Sequence, residues 1–182
     1  MKKSFIVIFL ILTVLFTGCR TKQIDSATSE GKEKECFDIT KAEFVNALDD
    51  YGINLKLSTD FDNENGTKSS AYTTNDSLEN MKNYSITYDA ITNKVSYVSF
   101  FFDKGSEENT ENALVDFYYH IAAISEVIEP NIDINKVFES IKNIYNFTEE
   151  TEEFAIYNGK NFSLSAGYNE PYLNALFLPV EN

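Results

Sequence analysis

The stretch "NYSITYDAITNKVSYVSFFFD", residues 83–103, decides the fold. Its first part alternates large apolar side chains, from Tyr84 to Tyr88, with small or polar ones, which is the pattern of a strand with one buried face. The turn "AITN" separates this part from a second apolar run, residues 94–103, so the two runs predict an antiparallel hairpin. Because the second run is apolar on both faces near Phe100 to Phe102, we expect a central strand covered on both sides.

Strands are also predicted on both sides of this hairpin. They are "INLKLS" from Ile53, "TKSSAYTT" from Thr67, "FAIY" from Phe154, "NFSLSAGY" from Asn161 and "YLNALFLPV" from Tyr172. In the first of these, the alternate apolar residues from Ile53 to Leu57 are expected on one face. Residues 60–66, "DFDNENG", are predicted to form a polar loop, and Asn158-Gly159 is typical of a tight hairpin turn.

The first helix has sequence signals at both ends. Thr40 and Glu43 have the spacing of a capping box, and Ile39 and Phe44 stand at the positions of a hydrophobic staple. Gly52 is a suitable C-terminal cap. The sequence therefore predicts a helix that begins after Thr40 and ends before Gly52.

Two further helices follow the hairpin. The first starts after Asn109 or Thr110 and ends before Pro130, and the second starts at Asp133. Their apolar stripes are Leu114, Phe117, Tyr118, Ile121, Ile124 and Ile128, then Ile134, Val137, Phe138, Ile141, Ile144 and Tyr145. The predicted class is α+β, with antiparallel strands and the element order α-ββββ-αα-βββ.

The N-terminus has the features of an export signal. Lys2 and Lys3 form a positive start, and the segment from Phe5 to Phe16 is apolar except for Thr13. This segment has the length of a secretory signal and is short for a membrane span. We therefore expect the chain to be exported.

The end of this segment, "LFTGC" at residues 15–19, resembles the lipobox of bacterial lipoproteins. The resemblance implies that a diacylglycerol is attached to the Cys19 sulfur and that a signal peptidase cuts just before it. It implies a signal peptide over 1–18, a membrane anchor at Cys19 and a location on the extracytoplasmic face of the cell membrane. An ordinary secretory signal and an uncleaved anchor helix are the alternatives, and both also place the protein outside the cytoplasm.

The segment that follows predicts how the domain is attached. Residues 19–35 are polar, with Ile24 as the only large apolar residue after the cysteine, and they lack helical or strand periodicity. Such a composition is typical of a flexible tether. Residues 36–182 are then predicted to form a single α+β domain.

Composition limits the partners of this domain. The formal charge of the chain is -14, with 29 acidic and 15 basic residues. A phosphate backbone would repel such a surface, so nucleic acid is not expected as a partner. Electrostatic adhesion to anionic lipid is disfavoured for the same reason. A well-solvated surface, a basic partner or cation-rich surroundings fit the charge, and the well-solvated surface is the favoured interpretation.

The chain contains one candidate pair for acid–base chemistry. His120 is the only histidine, and Asp116 precedes it by four residues on the predicted helix, so the two side chains could meet. No nucleophile motif accompanies them, so a surface or boundary pair is the favoured interpretation and no catalytic residue is assigned. One histidine and one spare cysteine, Cys36, are too few for a typical zinc site.

The loop from Asp60 has some of the residues of a calcium-binding loop. Asp60, Asp62 and Glu64 alternate as in an EF-hand loop, but Gly66 is one position late and Ala71 stands where the last glutamate should be. A solvated turn is therefore favoured, and no metal or cofactor site is predicted.

Two other features have less specific interpretations. "TEETEEF", residues 148–154, could steer a basic partner but is more typical of a solvated strand entry. Cys36 could pair between chains or react, but a small buried apolar residue is the simpler interpretation.

The sequence thus favours a non-catalytic binding or interaction module of the cell envelope, with an envelope protein as a candidate partner. A small-ligand-binding or sensory domain with an aromatic-lined pocket is one alternative. A hydrolase whose catalytic residues form no recognisable motif is another.

Overall fold

The computed structural model describes residues 35–74, 82–103, 110–142, 154–169 and 172–180. These residues form three helices and one seven-stranded antiparallel sheet. In chain order the elements are α1 (Lys41–Asp50), β1 (Leu55–Asp62), β2 (Thr67–Thr74), β3 (Lys82–Asp89), β4 (Val95–Asp103), α2 (Thr110–Ile128), α3 (Ile134–Ile141), β5 (Ala155–Asn158), β6 (Phe162–Asn169) and β7 (Tyr172–Pro179). The predicted α+β class and the predicted element order are confirmed.

Several predicted features lie outside the described residues. They are the signal peptide, Cys19, the tether as far as residue 34, the Asn109 cap, Ile144, Tyr145 and the glutamates of residues 148–153. These features remain predictions.

The sheet has the strand order β1-β2-β3-β4-β7-β6-β5. The first four strands form successive hairpins, and the chain then passes through α2 and α3 before it returns at the opposite edge with β5. The last strand, β7, therefore pairs with β4 in the middle of the sheet, for example at Val98 opposite Phe177. The predicted central position of β4 is confirmed.

The three described helices pack on one face of the sheet and enclose the core. The α2 residue Phe117 is fully buried against Phe100 and Phe102 of β4, with ring centroids 5.3 and 5.7 Å away. On the other face, Phe101 is only half-buried and packs edge-on against Tyr172. The expectation that β4 is covered on both sides is therefore wrong within the described residues, because their helices cover one face only.

Local hydrogen bonds fix both ends of α1. The Glu43 amide donates to Thr40 Oγ1 at 3.3 Å and the Thr40 amide donates to a Glu43 carboxylate oxygen at 2.9 Å, which confirms the capping box. At the other end, Gly52 has a φ of 72° and the Ile53 amide donates to the Leu48 carbonyl at 3.0 Å. This is a Schellman ending, which needs a residue in the left-handed region.

The first strand differs from its prediction at two places. Residues 60–62 continue β1, so the predicted polar loop is shorter than expected. A bulge between Leu57 and Thr59 shifts the pairing with β2 by one residue, which places Asp60 opposite Ser70. Leu57 is 48% exposed, because the helices leave this edge of the sheet uncovered. The expected run of buried alternate residues therefore ends before Leu57.

The hairpin between β5 and β6 turns later than predicted. Asn158 still pairs with Ser163, and the Gly159 amide donates to the Phe162 carbonyl at 2.8 Å, so the chain reverses at residues 160–161. A Cβ at Gly159 would lie 2.7 Å from the Tyr157 ring. The glycine is needed for this close approach and not for the turn itself.

None of the helices of the described residues combines the length and the apolar character that a membrane-spanning helix needs.

Replacing Thr40 by alanine removes the side-chain oxygen that caps α1. We expect the free energy of unfolding to fall by about 1 kcal/mol, because an orphan amide of the first turn loses its partner. Urea unfolding monitored by circular dichroism measures the change. Asn46→Ala, at an exposed position inside the same helix, is the matched control and should leave stability unchanged or slightly higher. Equal losses in both variants would contradict the capping role.

Candidate functional site

A polar cluster attaches the start of α1 to the first three strands. Lys41 Nζ donates to Ser70 Oγ at 3.1 Å and to Tyr88 Oη at 3.3 Å, and it lies 3.8 Å from a carboxylate oxygen of Asp60. It also stands 4.4 Å from the centre of the Tyr88 ring. The Ser70 hydroxyl in turn donates to Asp60. Since Ser70 is fully buried, this cluster satisfies polar groups that would otherwise lack water.

The protonation states of the cluster point to a structural role. Burial alone lowers the pKa of Lys41, but the hydrogen bond with Tyr88 and the nearby Tyr72 and Asp60 outweigh it, so the pKa is raised. Burial raises the pKa of Tyr72, and nearby Lys41 offsets only part of this effect. At neutral pH the cluster therefore holds a charged lysine and a neutral tyrosine. Neither is suited to act as a general base there.

The predicted pair of Asp116 and His120 is divided between two environments. His120 is only 5% exposed and Asp116 is exposed, so of the two predicted positions, surface or boundary, the pair occupies the boundary. The Tyr84 hydroxyl and Nδ1 of His120 share a hydrogen bond, and the Phe102 ring meets the imidazole edge-on at 4.8 Å. These contacts are typical of a histidine that completes a core.

Asp116 has a partner on the sheet. Its carboxylate lies 2.9 Å from Lys82 Nζ, whose side chain is 13% exposed and stands 5.5 Å from the centre of the Phe102 ring. The spacing of four residues predicted proximity along the helix, but the rotation of α2 directs His120 inward and leaves Asp116 at its margin. The pair forms an edge of the core and carries no assigned catalytic role.

The three acidic residues of the loop from Asp60 do not share one site. Asp60 belongs to the Lys41 cluster, and Asp62 forms an ion pair with Lys68 at 3.0 Å. Glu64 is exposed in the turn that follows. Within the described residues, no group of three histidine, cysteine, aspartate or glutamate side chains converges on one point. Cys36 is half-buried, so its predicted burial is only partial.

The most distinctive surface is the side of the sheet away from the helices, here called the open face. Strand register places small, hydroxyl, amide and apolar side chains on it. They are Thr59, Phe61, Thr67, Ser69, Ala71, Thr73, Asn83, Ser85, Thr87, Tyr97, Ser99, Phe101, Tyr172, Asn174, Leu176, Leu178, Ser163, Ser165, Gly167, Ile156, Asn158 and, next to the start of β5, Phe154. None of these residues is charged. Among the described strand residues, the charged ones on this side are Lys56, Asp89 and Asp103, and they stand at its margins.

The absence of charge from this surface is unusual for the chain. Charged residues make up 24% of the sequence, and solvent-facing strand positions are where they are normally found. Such depletion of charge, together with aromatic residues, distinguishes the centre of a protein interface from the rest of a surface. The open face is therefore the best candidate for a binding surface.

Apolar groups are exposed within the open face. Ile156 is 59% exposed and Leu178 is 40% exposed, near the β5 edge. Phe154 is 45% exposed, and its ring lies over Gly167, since a Cβ there would come within 2.6 Å of it. Toward the middle of the sheet, the Phe101 and Tyr172 rings meet edge-on at 5.5 Å. These groups supply apolar contact area beside the hydroxyl and amide side chains.

Some hydroxyl groups of the open face are held in place by hydrogen bonds. The Asn63 side-chain amide donates to Ser69 Oγ at 2.9 Å, and Ser69 and Thr87 share a hydrogen bond of 2.7 Å. Between the larger residues, the small side chains of Ala71, Ser85 and Ser99 follow one another across neighbouring strands. The small side chains therefore form a lower part of the open face, with larger side chains on either side.

Sequence reasoning did not identify the open face. Its signal was present in the predicted hairpin, where Ser85, Thr87 and Ser99 occupy the positions opposite the buried residues. These positions hold hydroxyl side chains where a simply solvated strand often holds lysine or glutamate. The signal becomes visible only when seven strands are aligned and their outward residues are compared.

An open depression lies between α3 and β5. It is lined by Asn135, Lys136, Glu139, Ser140, Tyr157 and Asn158. Tyr157 is the single aromatic residue among these, so the depression differs in character from the aromatic-lined pocket that the small-ligand alternative requires.

Comparison with known proteins finds no matching family model, no matching curated protein and no matching solved structure.

Replacing Tyr72 by phenylalanine should make the protein less sensitive to alkali. The raised pKa lies above the ordinary value of 10.0, so the folded protein keeps the phenol proton after the unfolded chain has released it. Stability is therefore full below about pH 10 and falls as the pH rises through the raised pKa. Lys41 adds a decline of the same sign, since its pKa is raised above 10.5. We expect the stability of the variant to fall less steeply with rising pH than that of the parent protein, but still to fall.

Urea midpoints measured between about pH 8 and 12 test this expectation. Loss of the Tyr72 hydroxyl costs about 1 kcal/mol at neutral pH, so the slope with pH is compared and not the absolute stability. Parallel curves for the variant and the parent protein would show that Tyr72 does not contribute to alkaline unfolding.

Proposed function

We propose that the chain is a lipid-anchored extracytoplasmic lipoprotein whose α+β domain is a non-catalytic binding module of the cell envelope. The open face is its binding surface in this proposal. The observation that carries the proposal is the absence of charged side chains from the middle of that face, among the residues that the structure describes, in a chain with a formal charge of -14.

The energetics of association support the use of this surface. Removing a charged side chain from water costs far more than removing a hydroxyl or an apolar group. A partner can therefore cover the positions around Ser99 and Leu176 without stripping water from unpaired charges. The acidic residues elsewhere keep the protein soluble and oppose association by other surfaces.

The rigidity of the open face supports the same role. Most of its side chains stand on the five inner strands, which are paired on both sides, and helix packing holds the centre of the sheet at Phe100 and Phe102. Groups on such a framework lose little conformational freedom when a partner binds.

The anchor in this proposal rests on the sequence of residues 1–19. The basic start, the apolar segment and the placement of Cys19 match the lipobox pattern. Two acyl chains hold a protein stably on a membrane, whereas one chain does so only marginally. The polar residues that follow Cys19 suit a tether that separates the domain from the bilayer.

Replacing Cys19 by alanine should remove the anchor. We expect the variant to be released from the membrane fraction or to accumulate with its signal peptide uncleaved, since no thioether can form. Cell fractionation and incorporation of labelled fatty acid measure the effect. Cys36→Ala is the matched control and should be anchored normally. Lipid labelling of Cys19→Ala at the parental level would show that the anchor is elsewhere.

A charge placed in the open face should weaken binding to the envelope. Detergent-solubilised full-length protein is mixed with envelope fragments from cells that lack it, and the sedimented fraction is measured. Ser99→Lys should lower retention by about tenfold, which corresponds to about 1.4 kcal/mol. Asn46→Lys adds the same charge at an exposed position of α1 and should bind like the parent protein.

Thermal unfolding of both variants shows whether each one is folded. Equal retention of the two folded variants would remove the open face from the proposal. Failure of the parent protein to bind envelope fragments would overturn the proposed function as a whole.

A further inference from the structure

One row of the open face combines aromatic rings with side-chain amides. Strand register aligns Asn83 of β3, Phe101 of β4, Asn174 of β7 and Gly167 of β6 across the sheet. The Phe154 ring covers Gly167, as a large aromatic side chain often does with a glycine on a neighbouring strand. The row therefore presents an amide, a ring, a second amide and a second ring in that order.

The spacing of this row is set by the sheet. Neighbouring strands lie about 4.8 Å apart, so Phe101 and the position covered by Phe154 are separated by about 10 Å. In an extended β-linked polysaccharide, every second sugar presents the same side, and the length of such a disaccharide is close to this separation. Two sugars of one chain could thus lie on the two rings while the sugar between them faces Asn174.

The chemistry of the row matches that of a sugar chain. A pyranose ring has faces of C–H groups, which pack against aromatic rings, and a rim of hydroxyl groups, which hydrogen-bond to amides and hydroxyls. Phe101 and Phe154 can provide the first kind of contact. Asn83, Asn174 and the adjacent Ser99 can provide the second kind, because amides and hydroxyls both donate and accept.

The charge of the protein selects among extended polymers. With a formal charge of -14, the chain repels nucleic acids and acidic polysaccharides. Among the described residues, the row itself holds no charged side chain that could pair with a charged peptide segment, and Asp103, the next outward residue of β4 after Phe101, is acidic. A polar but uncharged polymer is the class that meets both conditions.

We infer that the occupant of the open face is a neutral, extended, β-linked polysaccharide strand that lies across the sheet along the row from Asn83 to Phe154. This inference rests on the proposed function, since it names the partner of the same surface.

Binding to insoluble neutral polysaccharides tests the inference. Full-length protein in detergent is sedimented with particles of chitin and of cellulose, which are neutral β-linked polymers. We expect retention that is unchanged in about 1 M NaCl, because salt screens only charge interactions. Absence of binding to both polymers, or binding that salt abolishes, would overturn the neutral β-linked assignment.

Variants locate the bound strand on the protein. Phe101→Ala and Phe154→Ala should each lower retention by about tenfold. Asn83→Asp, which keeps the side-chain shape and adds a charge, provides a second test if an aromatic variant is unfolded. Tyr119→Ala removes an aromatic side chain that is 47% exposed on α2 and should bind like the parent. Undiminished binding by the folded open-face variants would overturn the assignment.

Envelope fragments separate failure of the inference from failure of the proposed function. Retention that survives protease treatment of the fragments but is lost after enzymatic hydrolysis of their polysaccharide supports the inference. Retention that protease abolishes shows a protein partner, so the inference falls while the binding module stands. If neither the treated fragments nor the untreated envelopes retain the protein, the inference and the proposed function are both overturned.

Discussion

The packing of α2 against β4 is the interaction on which the rest of the structure depends. Phe117 contacts both Phe100 and Phe102, and the rings of His120 on α2 and Tyr84 on β3 extend this aromatic cluster. Each large ring removes substantial apolar area from water, and tilted or edge-on pairs add a further attraction. Because β4 lies in the middle of the sheet, this contact fixes the helical layer over the strands on both sides.

The one-sided helical layer also creates the candidate binding surface. Successive residues of a strand point to opposite faces, so Phe100 in the core requires Ser99 and Phe101 on the open face. On those positions the chain carries hydroxyl, amide and aromatic groups and leaves charge at the margins. The same strand thus supplies the core with one set of residues and the proposed binding surface with the other. Because the first set is packed in the core, the strand that carries the second set is held in place.

The Asp116–His120 pair shows how far a local motif can be interpreted. A spacing of four residues does bring two positions to the same side of a helix. The spacing says nothing of which position meets the sheet, and here Phe102 packs on His120 while Lys82 pairs with Asp116. The Lys41 cluster was likewise invisible, because its partners Ser70 and Tyr88 lie 29 and 47 residues away in the chain.

The sequence by itself determined the features that depend on neighbouring residues: the capping box at Thr40 and the glycine ending at Gly52, the hairpin of residues 83–103 and the order of helices and strands. Backbone sterics, short hydrogen bonds and the periods of helix and strand decide these within a few residues. Only the tertiary structure decided that β7 pairs with β4, that β1 contains a bulge and that one face of the sheet stays uncovered by the described helices. Those outcomes depend on contacts between residues far apart in the chain, whose geometry local patterns do not specify.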